Sequence, residues 1–140
     1  MLDVNSNAGN DIIDFTTSFT ITLVTSQSAS YYFPPISDVT IDGKGTVVIC
    51  TGSGGFSNLG NNTIIDNFEF GQFNNGVFLC HPGAGGSVTI NNASFSINHN
   101  TSVISQGGGI LQFSGDLYLI NNYFWNCTAD LGGAICFDLV

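Results

Sequence analysis

Apolar and polar residues alternate along this chain in short runs, each closed by Gly, Asn, Asp or Ser. Phe19-Thr20-Ile21-Thr22-Leu23-Val24-Thr25 alternates apolar side chains with Thr, as a strand with one buried face does. Val39-Thr40-Ile41-Asp42, Thr63-Ile64-Ile65-Asp66, Ser87-Val88-Thr89-Ile90 and Asp116-Leu117-Tyr118-Leu119-Ile120 then open four successive units. A later apolar run answers each: Thr46–Ile49, Gly76–Leu79, Gly109–Phe113 and Gly132–Phe137. The stretch from Thr51 to Asn62 reads as a Gly/Ser/Asn loop. No segment sustains the i, i+3, i+4, i+7 spacing of an amphipathic helix, so the pattern predicts strands and almost no helix.

The units repeat. Ile41-Asp42-Gly43, Ile65-Asp66-Asn67, Ile90-Asn91-Asn92 and Ile120-Asn121-Asn122 share an apolar β-branched residue, then Asp or Asn, then Asn or Gly. The spacings 65−41=24, 90−65=25 and 120−90=30 are those of a solenoid whose coils bury apolar surface only by stacking. Strands this short and this regularly spaced meet their copies in parallel, about 4.8 Å apart. The expected fold is all-β: a right-handed, single-stranded parallel β-helix of about four to five coils, with the hand set by the bias of parallel crossovers. Residues 1–37 supply leading strands and a first coil; 38–140 form the repeated coils of one continuous domain. Pro34-Pro35 rules out a central strand and makes an extended connection that brings Ile36 and Val39 into the stack. Ile41, Ile65, Ile90 and Ile120 are expected to form an internal column. Asp42, Asp66, Asn91 and Asn121 follow at a corner, where stacked amides can bond along the axis.

Composition narrows the function. Of 140 residues 43% are hydrophobic but only 8% charged, against roughly 25% in ordinary domains. Mean hydropathy of +0.27 argues against disorder. Lys44 is the sole basic side chain against nine Asp and Glu69, a net charge of −9. Phosphate backbones and anionic membranes need several cations, so nucleic acid and membrane surfaces are excluded as partners. No apolar run reaches 18 residues, and no basic-then-apolar leader follows Met1, so any targeting signal lies outside this chain.

Candidate chemistry is sparse. Cys50, Cys80, Cys127 and Cys136 show no metal-ligand spacing. Cys50 and Cys80 close runs that match in consecutive coils, so they form a possible thiol pair, either buried thiols or a disulfide. A lyase of this fold needs a basic residue, and Lys44 in its Gly-Lys-Gly turn is the one candidate. Asp42 and Asp66 stack one coil apart, which leaves three outcomes: solvated carboxylates, one raised pKa, or a cation such as Ca²⁺ between them. His81 and His99 have no nucleophile at a recognisable spacing. Tyr31, Tyr32, Tyr123 and Trp125 could stack on sugars, while Phe and Tyr recurring in register favour an internal ladder. No catalytic residue and no cofactor are expected.

Two tail segments carry a family resemblance. Phe95-Ser96-Ile97-Asn98 before Gly107-Gly108-Gly109-Ile110, and Phe124-Trp125-Asn126-Cys127 before Gly132-Gly133-Ala134-Ile135, resemble the paired FxxN and GGAI motifs of chlamydial polymorphic outer-membrane proteins and related surface proteins. Gly109 stands for Ala in the first GGAI, and Cys127 for Asn in the second FxxN. Asn5–Phe15, Pro35-Ile36 and Val39–Gly43 resemble the start of bacterial β-helix passengers. The resemblance implies an autotransporter-like adhesin passenger on the bacterial cell surface, contacting a protein or glycan receptor. Because the sequence stops just after a strand, it reads either as a segment of a longer solenoid or as a filament subunit that self-associates end to end.

Overall fold

The computed structural model describes residues 11–24, 35–51, 54–99 and 107–138. Tyr31, Tyr32 and Pro34 of the expected connection lie outside them.

Among the described residues all twelve elements are strands: β1 (Asp11–Asp14), β2 (Thr20–Leu23), β3 (Val39–Cys50), β4 (Ser57–Leu59), β5 (Thr63–Gly71), β6 (Phe78–Cys80), β7 (Ser87–Asn91), β8 (Ser94–Ser96), β9 (Ile110–Gln112), β10 (Asp116–Ile120), β11 (Tyr123–Trp125) and β12 (Ile135–Phe137). Every named pairing is parallel and joins one coil to the next, as β1-β3-β5-β7-β10 on one face and β4-β6-β9-β12 on another. The result is a parallel β-solenoid of about four turns, as the periodicity predicts.

Alternation along each strand sends every second side chain inward. Val39, Val48, Leu59, Ile65, Val88, Ile90, Phe70, Phe78, Phe95 and Ile110 are fully buried or nearly so. Phe70, Phe95 and Phe124 stack as an internal ladder, with ring centroids 5.5 Å and then 4.7 Å apart. Each stacked pair adds about 0.5–1.5 kcal/mol beyond burial. Ile36 bridges to Leu59, so Ile36 and Val39 do enter the stack.

Three expectations need correction. Ile41, Ile65 and Ile90 share a column as expected, but its next member is Leu119; Ile120 pairs with Asn91 and points outward, half-exposed. The period here is 119−90=29, matching 124−95=29 for the Phe ladder. A chance second Ile-Asn-Asn triplet one residue later disguises it, and a one-residue slip reverses which face a side chain occupies. Second, Phe78–Cys80 pairs with Ser57–Leu59, inside the supposed loop, whereas Val47–Ile49 pairs with Glu69–Gly71. Val47–Ile49 continues the β3–β5 sheet past the corner, whereas Ser57–Leu59 and Phe78–Cys80 belong to the other sheet, so each of these coils carries a further strand after the one that Cys50 closes. At the corner itself Gly43-Lys44-Gly45 stands opposite the single residue Asn67, and the register shifts between Asp42 and Thr46. Third, Cys50 and Cys80 therefore end strands on different faces of the solenoid, and no disulfide joins them.

Candidate functional site

The corner after each first strand needs a left-handed residue to turn the chain without a full loop. Asn67, Asn92 and Asn121 fill it with φ of 56°, 48° and 54°, which Asn tolerates better than other non-glycine residues. Each amide then reaches one coil down. Asn67 Nδ2 donates to Asp42 Oδ1 at 2.9 Å, Asn92 Nδ2 to Asp66 Oδ1 at 2.9 Å, and Asn121 Nδ2 to Asn92 Oδ1 at 3.4 Å. The amide ladder thus runs through Asn121 as expected, but with Asn92 in place of Asn91, whose buried Oδ1 has no hydrogen-bond partner.

This ladder engages both Asp42 and Asp66. The two residues are in register on neighbouring rungs, and each carboxylate accepts an amide from the coil above. The Lys44 ammonium bridges Asp42 and, at 3.0 Å, Asp14, while the Lys44 N–H donates to Asp42 Oδ1 at 3.0 Å. The Lys44 side-chain bond above all, then the Asn67 amide, hold the Asp42 carboxyl down to about 2. Lys44 is raised in turn by Asp42 and Asp14. Among the described residues no group of three or more His, Cys, Asp or Glu side chains is arranged to hold a metal ion. The single basic residue of the chain is a clamp across two rungs.

Sequence reasoning missed the interior polar column. Asn98, fully buried, accepts from the Phe73 N–H at 3.0 Å and donates to the Phe70 carbonyl at 3.3 Å. One coil on, the Cys127 thiol donates to the Phe95 carbonyl at 3.4 Å, so the residue that breaks the FxxN pattern makes the equivalent bond. Asn122 works similarly, donating to the Ile90 carbonyl at 2.7 Å and accepting from the Ala93 N–H at 2.9 Å. The signal was available in the FxxN spacing, where Phe supplies the ladder and Asn, three residues on, closes the backbone of the coil below. The Gly-rich halves also stack: Gly108 N–H donates to Gly133 O at 2.9 Å and Gly109 N–H to Ala134 O at 2.8 Å. A Cβ at Gly109 would sit 2.9 Å from Ala134 O and 3.1 Å from the Phe124 ring, which explains its departure from Ala.

The remaining candidates take structural places. His99 Nδ1 meets Thr128 Oγ1 at 2.5 Å across a coil boundary, and His81 stands edge-on to Phe113. Burial pushes the Cys80 thiol far up, so it stays protonated and inert.

The outward columns behave differently. Reading up the stack, they run Ile12–Thr40–Ile64–Thr89–Tyr118, Asp14–Asp42–Asp66–Asn91–Ile120, Thr20–Val47–Glu69–Ser94–Tyr123 and Thr22–Ile49–Gly71–Ser96–Trp125. All four change character at the β10–β11 coil, where Tyr118, Ile120, Tyr123 and Trp125 are 50–63% exposed. Neither family models, curated proteins nor solved structures yield a match to this chain.

Proposed function

We propose that this chain is a non-enzymatic scaffold and contact segment: a stalk of stacked coils that presents a recognition surface outside the cell. The observation that carries the reading is the step from the β7–β8 coil to the β10–β11 coil, where Thr89, Asn91, Ser94 and Ser96 give way in all four outward columns to the exposed Tyr118, Ile120, Tyr123 and Trp125. Exposed apolar side chains gathered in one place mark an interaction surface, whereas scattered ones do not. The acidic side chains Asp42 and Asp66 are engaged in the corner ladder, and Lys44 in its clamp, which supports a structural role for them over acid–base chemistry. The FxxN and GGAI resemblance points the same way, toward an adhesin-like passenger at a bacterial surface.

Beads coated with the chain test the reading on a panel of epithelial cells. Adhesion is expected, with loss when Tyr118, Ile120, Tyr123 and Trp125 are all replaced by Ser, and no loss for Thr40→Ser or Thr89→Ser. Equal adhesion by all variants would overturn it.

A second reading is end-to-end assembly. Leu117, Leu119, Phe124 and Ile135 occupy inward columns yet are only partly buried, unlike Val88, Ile90, Phe95 and Ile110 beneath them. Either further coils or a second copy stacked on β10–β12 would bury them. Electron microscopy of the purified chain separates the two, since rods at high concentration appear only if copies stack.

A further inference from the structure

We propose that the exposed aromatic strip of the β10–β11 coil, extended one coil down by Ile97, docks a basic polypeptide segment. This rests on the contact-surface reading and names its partner class. Ile97 follows β8 at the second corner of its coil, with Gln72 one coil below and Asn126 one coil above. All three are left-handed, with φ of 65° at Gln72, 55° at Ile97 and 51° at Asn126. Among the nine non-glycine residues of positive φ in the described chain, Ile97 alone is β-branched. A branched Cβ crowds the backbone in that conformation, so Ile97 is a strained choice where Asn126 serves one coil later.

Strain of this kind persists only where something else selects the side chain. Burial does not select it: Ile97 is 36% exposed, while Asn98 beside it is fully buried. Among the described residues, the other exposed large apolar side chains lie in the first coil and the last. The Ile97 N–H donates to Trp125 O at 3.0 Å, which ties this residue to the lower margin of the strip. A residue that costs stability and adds apolar surface next to an exposed Trp belongs to that surface.

Charge selects the partner. Asp116, Tyr118 and Ile120 alternate outward on one face of β10, and Glu69 lies two rungs below Tyr123 in its column. Asp116 and Glu69 are both exposed. The sole basic side chain, Lys44, is held by Asp14 and Asp42, within a net charge of −9. An anionic partner would meet repulsion, and a purely apolar one would strip water from the carboxylates without replacing it. Arg and Lys side chains suit both features. Their cations stack on aromatic faces and pair with carboxylates, while their stems cover apolar surface.

Trp125 is the only tryptophan, so its emission reports on the strip. The full chain is titrated with short synthetic peptides in which Leu alternates with Arg, Ser or Glu, and with one alternating Arg and Ser. A saturable change is expected with the Arg–Leu peptide, about tenfold tighter than with any other. Ile97→Asn should weaken that binding about threefold while raising the urea midpoint, and Thr40→Ser should change neither. Binding that Ile97→Asn leaves intact overturns the proposal. So does a midpoint that fails to rise, because packing rather than a partner would then hold Ile97. Equal binding of the Arg–Ser peptide would reduce the effect to net charge, and no saturable response, or a preference for Ser–Leu or Glu–Leu, would remove the basic partner. Bead adhesion keeps the two readings apart. Adhesion lost with the four-Ser variant but not blocked by the Arg–Leu peptide would sink the basic partner and keep the surface; no adhesion and no titration response would sink both.

Discussion

The β7–β8 coil and the β10–β11 coil above it are nearly the same object from inside and different objects from outside. Inward, Val88, Ile90 and Phe95 are answered in register by Leu117, Leu119 and Phe124. At the polar corner, Asn92 is answered by Asn121. Outward, Thr89, Asn91, Ser94 and Ser96 are answered by Tyr118, Ile120, Tyr123 and Trp125. The inner and corner positions carry what stacking demands, namely apolar volume and a residue tolerant of left-handed φ. The outer positions are free of both demands, so differences there report on what the surface meets.

Substitutions can break this comparison, beginning with the largest effect. Phe95→Ala removes the middle ring of the ladder and should cost about 3–5 kcal/mol by urea denaturation, whereas Trp125→Ala should stay within about 0.5 kcal/mol. Comparable costs would mean that inner and outer are misassigned. Leu119→Ala should cost about 2 kcal/mol, near the low end for a partly buried site, and Ile120→Ala almost nothing. The reverse order would restore the 30-residue period and turn the aromatic strip inward. Asn98→Ala leaves a buried N–H and carbonyl unpaired and should cost about 1–3 kcal/mol. Asn98→Cys should recover part of that loss, since Cys127 bonds the carbonyl one coil later.

The smallest effect is electrostatic. Asp42 has its pKa held down to about 2 in the folded chain, against about 3.9 unfolded. Its contribution is therefore complete above about pH 4 and is lost as pH falls through about 2. Urea midpoints measured from pH 5 to pH 2 should fall less steeply for Asp42→Asn than for the unaltered chain. Parallel curves would remove Asp42 from the corner's energetics.

Much of this was legible from residues alone because stacking imposes its own spelling. Strand alternation, the Ile-Asp/Asn-Asn signature and the FxxN–GGAI pairing each encode a contact with the same position one coil away. Two motifs disagree on the period: the Ile120-Asn121-Asn122 triplet gives 30 residues, while the Phe95–Phe124 spacing gives 29. Cys50 and Cys80 look equivalent because both end apolar runs, yet Cys50 closes β3 in one sheet and Cys80 closes β6 in the other, with β4 hidden in the Gly/Ser/Asn stretch between them.

The direction of the inter-coil hydrogen bonds has a mechanical consequence. Bonds such as Asp38 N–H to Asn61 O and Asn92 N–H to Ile120 O join one coil to the next, and so lie along the axis of the rod. A pull along that axis loads the rungs in series, and the weakest boundary opens while its neighbours hold. Each coil that peels away releases about 25 residues, or roughly 85 Å of extended chain. Under tension such a solenoid would lengthen in steps, giving up one turn at a time.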